Sequence, residues 1–143
     1  MIILTNRLSD PPNLKADFTL FLTAEQRQRS RQRISLNDRQ IFYLKLPRGT
    51  ILKEGDLLGS ENEDVTVAIA AQKEPVMTVT AAQKLALIKA AYHLGNRHVA
   101  LEITEHYLRL SPDPILGSML IKLGLEVQEE LANFYPEIGA YNH

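Results

Sequence analysis

Cysteine is absent from this 143-residue chain. With it go a disulfide framework, a thiolate metal site and a cysteine nucleophile, so any transition metal must rest on imidazole and carboxylate. Imidazole is itself scarce, limited to His93, His98, His106 and His143. Long apolar runs are missing too: no segment approaches the ~18 apolar residues that span a bilayer. The opening Met1-Ile2-Ile3-Leu4-Thr5-Asn6-Arg7 lacks a long apolar core after a basic start, and a cytoplasmic protein is expected. Nor does one sign of charge dominate. A formal net charge of -1 predicts neither a nucleic-acid binder nor a membrane binder, and no aromatic RNP-like run marks a strand for RNA. No nucleophile–base constellation and no three-ligand zinc site with an open position can be assembled from the motifs, so an enzyme is not expected.

What is present suffices for a core: 45% of residues are hydrophobic and 23% charged, an ordinary globular balance. The pattern favours two units and an α+β fold. In residues 1–73 short apolar stretches follow one another at close intervals with no helical segment, which predicts a small all-β domain. Met1 to Leu8 reads as a strand, closed by the turn residues Ser9-Asp10-Pro11-Pro12-Asn13. Asp17 to Leu22 is a second, and Ile34 to Leu46 a hairpin turning at Asn37-Asp38-Arg39. Asp56 to Gly59 and Val65 to Ala70 complete the series. Arg27, Arg29, Arg31 and Arg33 alternate with polar residues, so an extended backbone puts all four guanidinium groups on one side. Such a row either blunts a sheet edge or docks an acidic partner.

From residue 74 the order becomes strand (Val76 to Thr80), helix (Ala81 to Leu94), strand (Val99 to Ile103), strand (His106 to Leu110), helix (Pro112 to Leu123), strand (Leu125 to Leu131). That βαββαβ order predicts a ferredoxin-like sheet with both helices on one face. Leu85, Ile88 and Tyr92, with Leu87, Ala91 and Leu94, recur at helical spacing. Gly95 is expected to close that helix in the left-handed conformation. Val99, Leu101 and Ile103 then share one face of a strand, and His98 and Glu102 the other, outward one. In the later helix Ser111 is the expected N-cap, Pro112 the first helical position and Gly124 the closing glycine. Its apolar face is Ile115, Leu116, Met119, Leu120 and Leu123. Residues 1–73 carry a net +2 and residues 74–143 a net -3, which makes the second unit the more attractive one for a cation. Asn133 to His143 shows no periodicity and is expected to be a mobile tail.

The run Tyr92-His93-Leu94-Gly95-Asn96-Arg97-His98-Val99, with Ile115-Leu116, Met119-Leu120 and Gly139-Ala140-Tyr141, resembles the urease accessory metallochaperone family UreE. Leu44-Lys45-Leu46-Pro47-Arg48-Gly49-Thr50 and Gly55-Asp56-Leu57-Leu58 resemble that family's amino-terminal β domain. The resemblance implies a homodimer that binds Ni(II) and delivers it to the urease apoprotein during active-site assembly, together with an accessory GTPase. Zn(II) or Cu(II) could occupy such a site in vitro. His98 corresponds to the family's central nickel ligand, offered by both subunits across the dimer axis, and His143 falls where relatives continue into a histidine-bearing tail. Residues 1–73 would then dock partners, and residues 74–143 would bind metal and dimerise. Several relatives carry a His-Asp-His type pair before the second helix. Here Pro112-Asp113-Pro114 stands in its place, and the tail keeps one histidine, so fewer metal ions per dimer are expected. An alternative is a scaffold of the urease maturation complex that keeps the fold without carrying metal. Of the other histidines, His93 is expected to serve the helix end and His106 to lie at the surface.

Overall fold

Short apolar runs separated by turn residues build the first unit as strands. In the computed structural model of the chain, which describes residues 1–9, 15–37 and 39–138, these are β1 (Ile2–Arg7), β2 (Phe18–Leu22), β3 (Arg31–Ser35), β4 (Ile41–Lys45), β5 (Leu57–Ser60) and β6 (Thr66–Ala71). They form one sheet in the order β2-β6-β5-β1-β4-β3. β1 runs parallel to β4 and β2 to β6, while the remaining pairs are antiparallel. Burial alternates along β2, β4 and β6, and the buried side chains meet in a core of Leu4, Leu20, Leu22, Ile34, Phe42, Leu44 and Leu58. Phe18 meets Phe42 edge-on there, with ring centroids 5.2 Å apart, a geometry that suits the aromatic quadrupoles. The β3–β4 hairpin turns where expected: the Asn37 side-chain oxygen accepts from the N–H groups of Arg39 and Gln40, at 2.8 and 3.1 Å.

A short helix interrupts the expected run of strands. α1 (Ala24–Arg27) opens on a capping box, in which Thr23 accepts from the Gln26 N–H and the Gln26 side chain accepts from the Thr23 N–H. The Thr-x-x-Gln spacing announces this, and it overturns the single arginine row. Arg27 is buried in α1 and donates to the Leu22 carbonyl, and Arg29 pairs with Glu25. Arg31 and Arg33 alone extend along β3 on one exposed face.

The second unit, Lys73–His143, contains β7 (Glu74–Thr80), α2 (Lys84–Asn96), β8 (Glu102–Ile103), β9 (Leu108–Leu110), α3 (Pro114–Lys122) and β10 (Glu126–Ala132). Its sheet is antiparallel in the order β10-β7-β9-β8, the arrangement of a ferredoxin-like fold, so the chain is α+β as its pattern predicts. Met77, Val79, Leu108 and Leu110 present one face of the sheet to Leu87, Ala90 and Leu94 of α2 and Leu120 of α3. Gly117 of α3 sits over the Met77 side chain, where an added Cβ would make ordinary contact with the sulfur at 3.4 Å.

Local chemistry shifts the predicted helix ends. α3 begins two residues later than expected, because Asp113 rather than Ser111 is the N-cap and Pro114 rather than Pro112 opens the helix. The Asp113 carboxylate accepts from the N–H groups of Ile115 and Leu116 at 2.9 and 3.1 Å; a carboxylate also complements the positive end of the helix dipole. Gly124 does close α3, at φ 90°. The apolar face of α3 is narrower than expected, since Ile115 and Leu123 are exposed.

Candidate functional site

α2 does not stop at Gly95. It continues to Asn96, and its closing pair of hydrogen bonds runs from the His98 N–H to the Gly95 carbonyl (3.0 Å) and from the Val99 N–H to the Leu94 carbonyl (3.2 Å). That is a Schellman closure, and its left-handed position falls on His98, at φ 57°, three residues beyond the glycine. α3 ends in the same pattern with Gly124 at the equivalent place. The closure slides to His98 because Leu94 is fully buried and Val99 packs against the same core, which supplies the apolar contact that accompanies this motif. His98 is thereby held on a rigid helix end with its side chain exposed.

The other histidines stay apart in role. His93 is half-buried on α2 beside Tyr92, and its carbonyl accepts from the Arg97 guanidinium at 3.3 Å, which ties the last turn of α2. His106 is exposed in the β8–β9 turn, its N–H donating to the Thr104 hydroxyl. His143 lies outside the described residues. Among the described residues no three His, Asp or Glu side chains gather as a chelate.

Glu102 reverses its expected placement. The strand begins only at Glu102, so alternation does not carry back to His98, and Glu102 is 6% exposed. It lies opposite Arg109 on the face of the sheet away from the helices. One carboxylate oxygen accepts from the Tyr107 hydroxyl (3.0 Å), with Arg109 at 3.9 Å. The other accepts from the Tyr135 N–H (2.8 Å). Arg109 also donates to Thr78, lies 3.8 Å from Glu130 and stacks over the Tyr107 ring. Burial, and then the Glu102 carboxylate beside it, push the Tyr107 hydroxyl above its ordinary value. Alternation could not reveal this cluster, because what covers that face is the chain's own later segment. The first six residues of the expected mobile tail, 133–138, are fastened there: Phe134 is buried and the Glu137 N–H donates to the Leu101 carbonyl at 2.7 Å.

α2 carries a second apolar stripe, opposite its buried one. Leu85, Ile88 and Tyr92 are 58%, 64% and 66% exposed, and the stripe runs toward the helix end that bears His98. Beside it, between α2 and β8, lies an apolar groove of about 360 Å³ lined by Leu87, Ile88, Ala91, Ile103 and Leu108. Among the described residues no helix is long and apolar enough to cross a membrane.

Comparison with known proteins agrees with this architecture. Residues 3–71 match the family model for the UreE urease accessory protein N-terminal domain, and residues 74–143 that for the C-terminal domain. The chain is 51% identical over its full length to the urease accessory protein UreE of Nostoc sp., covering 97% of that protein. To the protein of the same name from Microcystis aeruginosa it is 52% identical, covering all of this chain and 94% of the relative. To that of Thermosynechococcus vestitus it is 45% identical, covering 99% of each. With both domains matched in order and identities this high from end to end, the chain belongs to the UreE family of urease accessory proteins, chaperones of urease maturation rather than enzymes.

Proposed function

We propose that this protein is a nickel carrier: a homodimer in which His98 of both subunits holds one Ni(II), which is passed to the urease apoprotein as its active site is assembled. The observation that carries this reading is His98 itself. It places an exposed imidazole on a left-handed backbone position where glycine would sit with less strain, which points to a use for the side chain. One imidazole is too few ligands for a carrier, and a second copy supplies another. The stripe of Leu85, Ile88 and Tyr92 suits that copy, since burying such side chains is worth about 1.5–3 kcal/mol each.

His143 is the further ligand in this reading, brought to the shared ion by the terminal segment. Imidazole suits Ni(II) but also Zn(II) and Cu(II), which would compete in vitro. A site with so few ligands releases its ion to a partner offering more, and the accessory GTPase and the urease apoprotein complex are the partners in that transfer. The first unit is the docking side. Arg31 stands directly opposite Lys45 across β3 and β4, with Arg33 on the same face, and none of the three has an ion pair among the described residues. Like charges opposed in this way destabilise a sheet slightly and favour an acidic partner surface.

The test is a titration of Ni(II) into the full chain and into His98→Ala, with mass measured in solution. Loss of high-affinity binding in the variant, and about one ion per wild-type dimer, are expected. Coincident titration curves would sink the carrier reading and leave the scaffold role, in which the protein assembles with its partners in metal-free buffer.

A further inference from the structure

We propose that β3 is a docking edge: it takes up an extended acidic segment of a partner protein as an added strand of the first sheet. This rests on the docking role given to the first unit above, and it supplies the mode of contact and the chemistry of the partner segment.

β3 ends the first sheet on the side beyond β4, and no described strand pairs with its other side. Antiparallel pairing with β4 divides its backbone groups between the two sides. The Leu46 N–H donates to the Ser30 carbonyl (3.0 Å) and the Leu36 N–H to the Gln40 carbonyl (2.9 Å). By alternation from those two pairs, Gln32 opposite Leu44 and Ile34 opposite Phe42 carry the ladder bonds. The positions between them are the non-bonded pairs, so the N–H and carbonyl groups of Arg31, Arg33 and Ser35 turn to the open side. A strand arriving there bonds to those residues through its own backbone. The edge is braced from within, since the Gln32 side-chain amide donates to the Gln26 and Arg29 carbonyls at 2.5 and 3.3 Å. The template is therefore ordered before a partner arrives, which lowers the cost of binding.

Side chains choose the occupant. The residues that offer backbone to the edge also keep their side chains out of the core: Arg31, Arg33 and Ser35 are exposed, while Ile34 is buried. A paired strand sets its own residues directly opposite Arg31 and Arg33, close enough for side-chain contact. Carboxylates at those places meet two guanidinium groups, with the Lys45 ammonium one strand further in. Apolar residues at the alternate positions then fall beside Gln32 and Ile34 on the core side. A second copy of β3 is a poor occupant, because it would bring arginine against arginine. The opposite edge of the sheet, β2, reads Phe18-Thr19-Leu20-Phe21-Leu22 and has no charge with which to select. Charge and free backbone coincide on β3.

The probe is a fluorescein-labelled peptide of about eight residues, a common strand length, in which glutamate alternates with valine. Its anisotropy is followed as the full chain is added. Binding is expected, and Arg31→Glu with Arg33→Glu should weaken it about tenfold or more, the scale of two opposite-charge cross-strand pairs turned into like-charge ones. Ser35→Pro removes an outward N–H and changes neither the charge nor a ladder bond, so it should weaken binding about fivefold. The same peptide N-methylated at each glutamate cannot donate to the β3 carbonyls and should bind about tenfold more weakly or worse, a comparison that needs no protein variant. No binding of the parent peptide overturns the proposal. So does a loss that follows charge alone, with Ser35→Pro and N-methylation without effect. A single-stranded RNA of equal charge that binds as tightly as the peptide overturns the choice of a protein segment. Failure of the docking reading looks different: the chain with both arginines reversed then loses the peptide, yet assembles with the urease apoprotein complex as the unmodified chain does.

Discussion

His98 serves two demands that pull apart. As the residue after the α2 cap it must adopt φ 57°, where a side chain crowds the following carbonyl and costs on the order of 1 kcal/mol relative to glycine. As the candidate ligand it must keep its imidazole. Gly124 shows what the same closure looks like when backbone alone decides. His98→Gly is therefore expected to be more stable to urea than His98→Ala, by on the order of 1 kcal/mol. Both variants should lose nickel binding. Parallel urea unfolding and metal titration check this; a glycine variant less stable than the alanine one would mean that the left-handed backbone at this position is not what sets the stability of the helix end. The stretch around His98 was legible by residue type, but its conformation was not. Gly95 reads as the stop, yet closure follows Leu94 and Val99 into the same apolar core, and no rule about the nearest glycine contains that core.

Among the elements, α2 is the informative one. Its pattern reads as one broad apolar face, and the structure divides it: Leu87, Ala90 and Leu94 enter the core while Leu85, Ile88 and Tyr92 look outward on the far side. A periodicity argument finds apolar positions but not what covers them. Ile88 is 64% exposed and lies outside the buried core cluster, so the subunit should remain folded when it is replaced by glutamate. If a second copy covers the stripe, Ile88→Glu should shift the chain from dimer to monomer in sedimentation and weaken nickel binding with it, by tenfold or more for each ~1.4 kcal/mol of lost association. An unchanged dimer would move the interface elsewhere. α1 and α3 show the opposite kind of legibility. Thr23-x-x-Gln26 and Asp113-Pro114 are local start signals with their own hydrogen bonds. Alternating charge masks the α1 signal, and at α3 the second proline, not the first, follows an N-cap side chain that reaches two free N–H groups.

For the whole molecule, the two units have separate cores, one built on Leu4, Phe42 and Leu44 and the other on Met77, Leu94 and Leu120. Every candidate ligand, the outward stripe of α2 and the Glu102 cluster belong to the second. A chain of residues 73–143 should therefore fold alone and bind nickel within about threefold of the full chain, an order-of-magnitude bound for removing a domain that shares no ligand. Circular dichroism and the same titration check it, and a larger loss would give the first unit a part in the metal site. The α+β class, the strand-rich first half and the βαββαβ order of the second are legible in the chain alone, because periodicity and turn chemistry act between near neighbours; His98 stands out only through the motif run shared with the family. That Glu102 points into a covered face, that Phe134 is buried and that the α2 stripe is left open follow from the folded arrangement of distant segments. Each of those depends on which distant segment arrives at a surface, and burial is a property of the pair rather than of either strand alone.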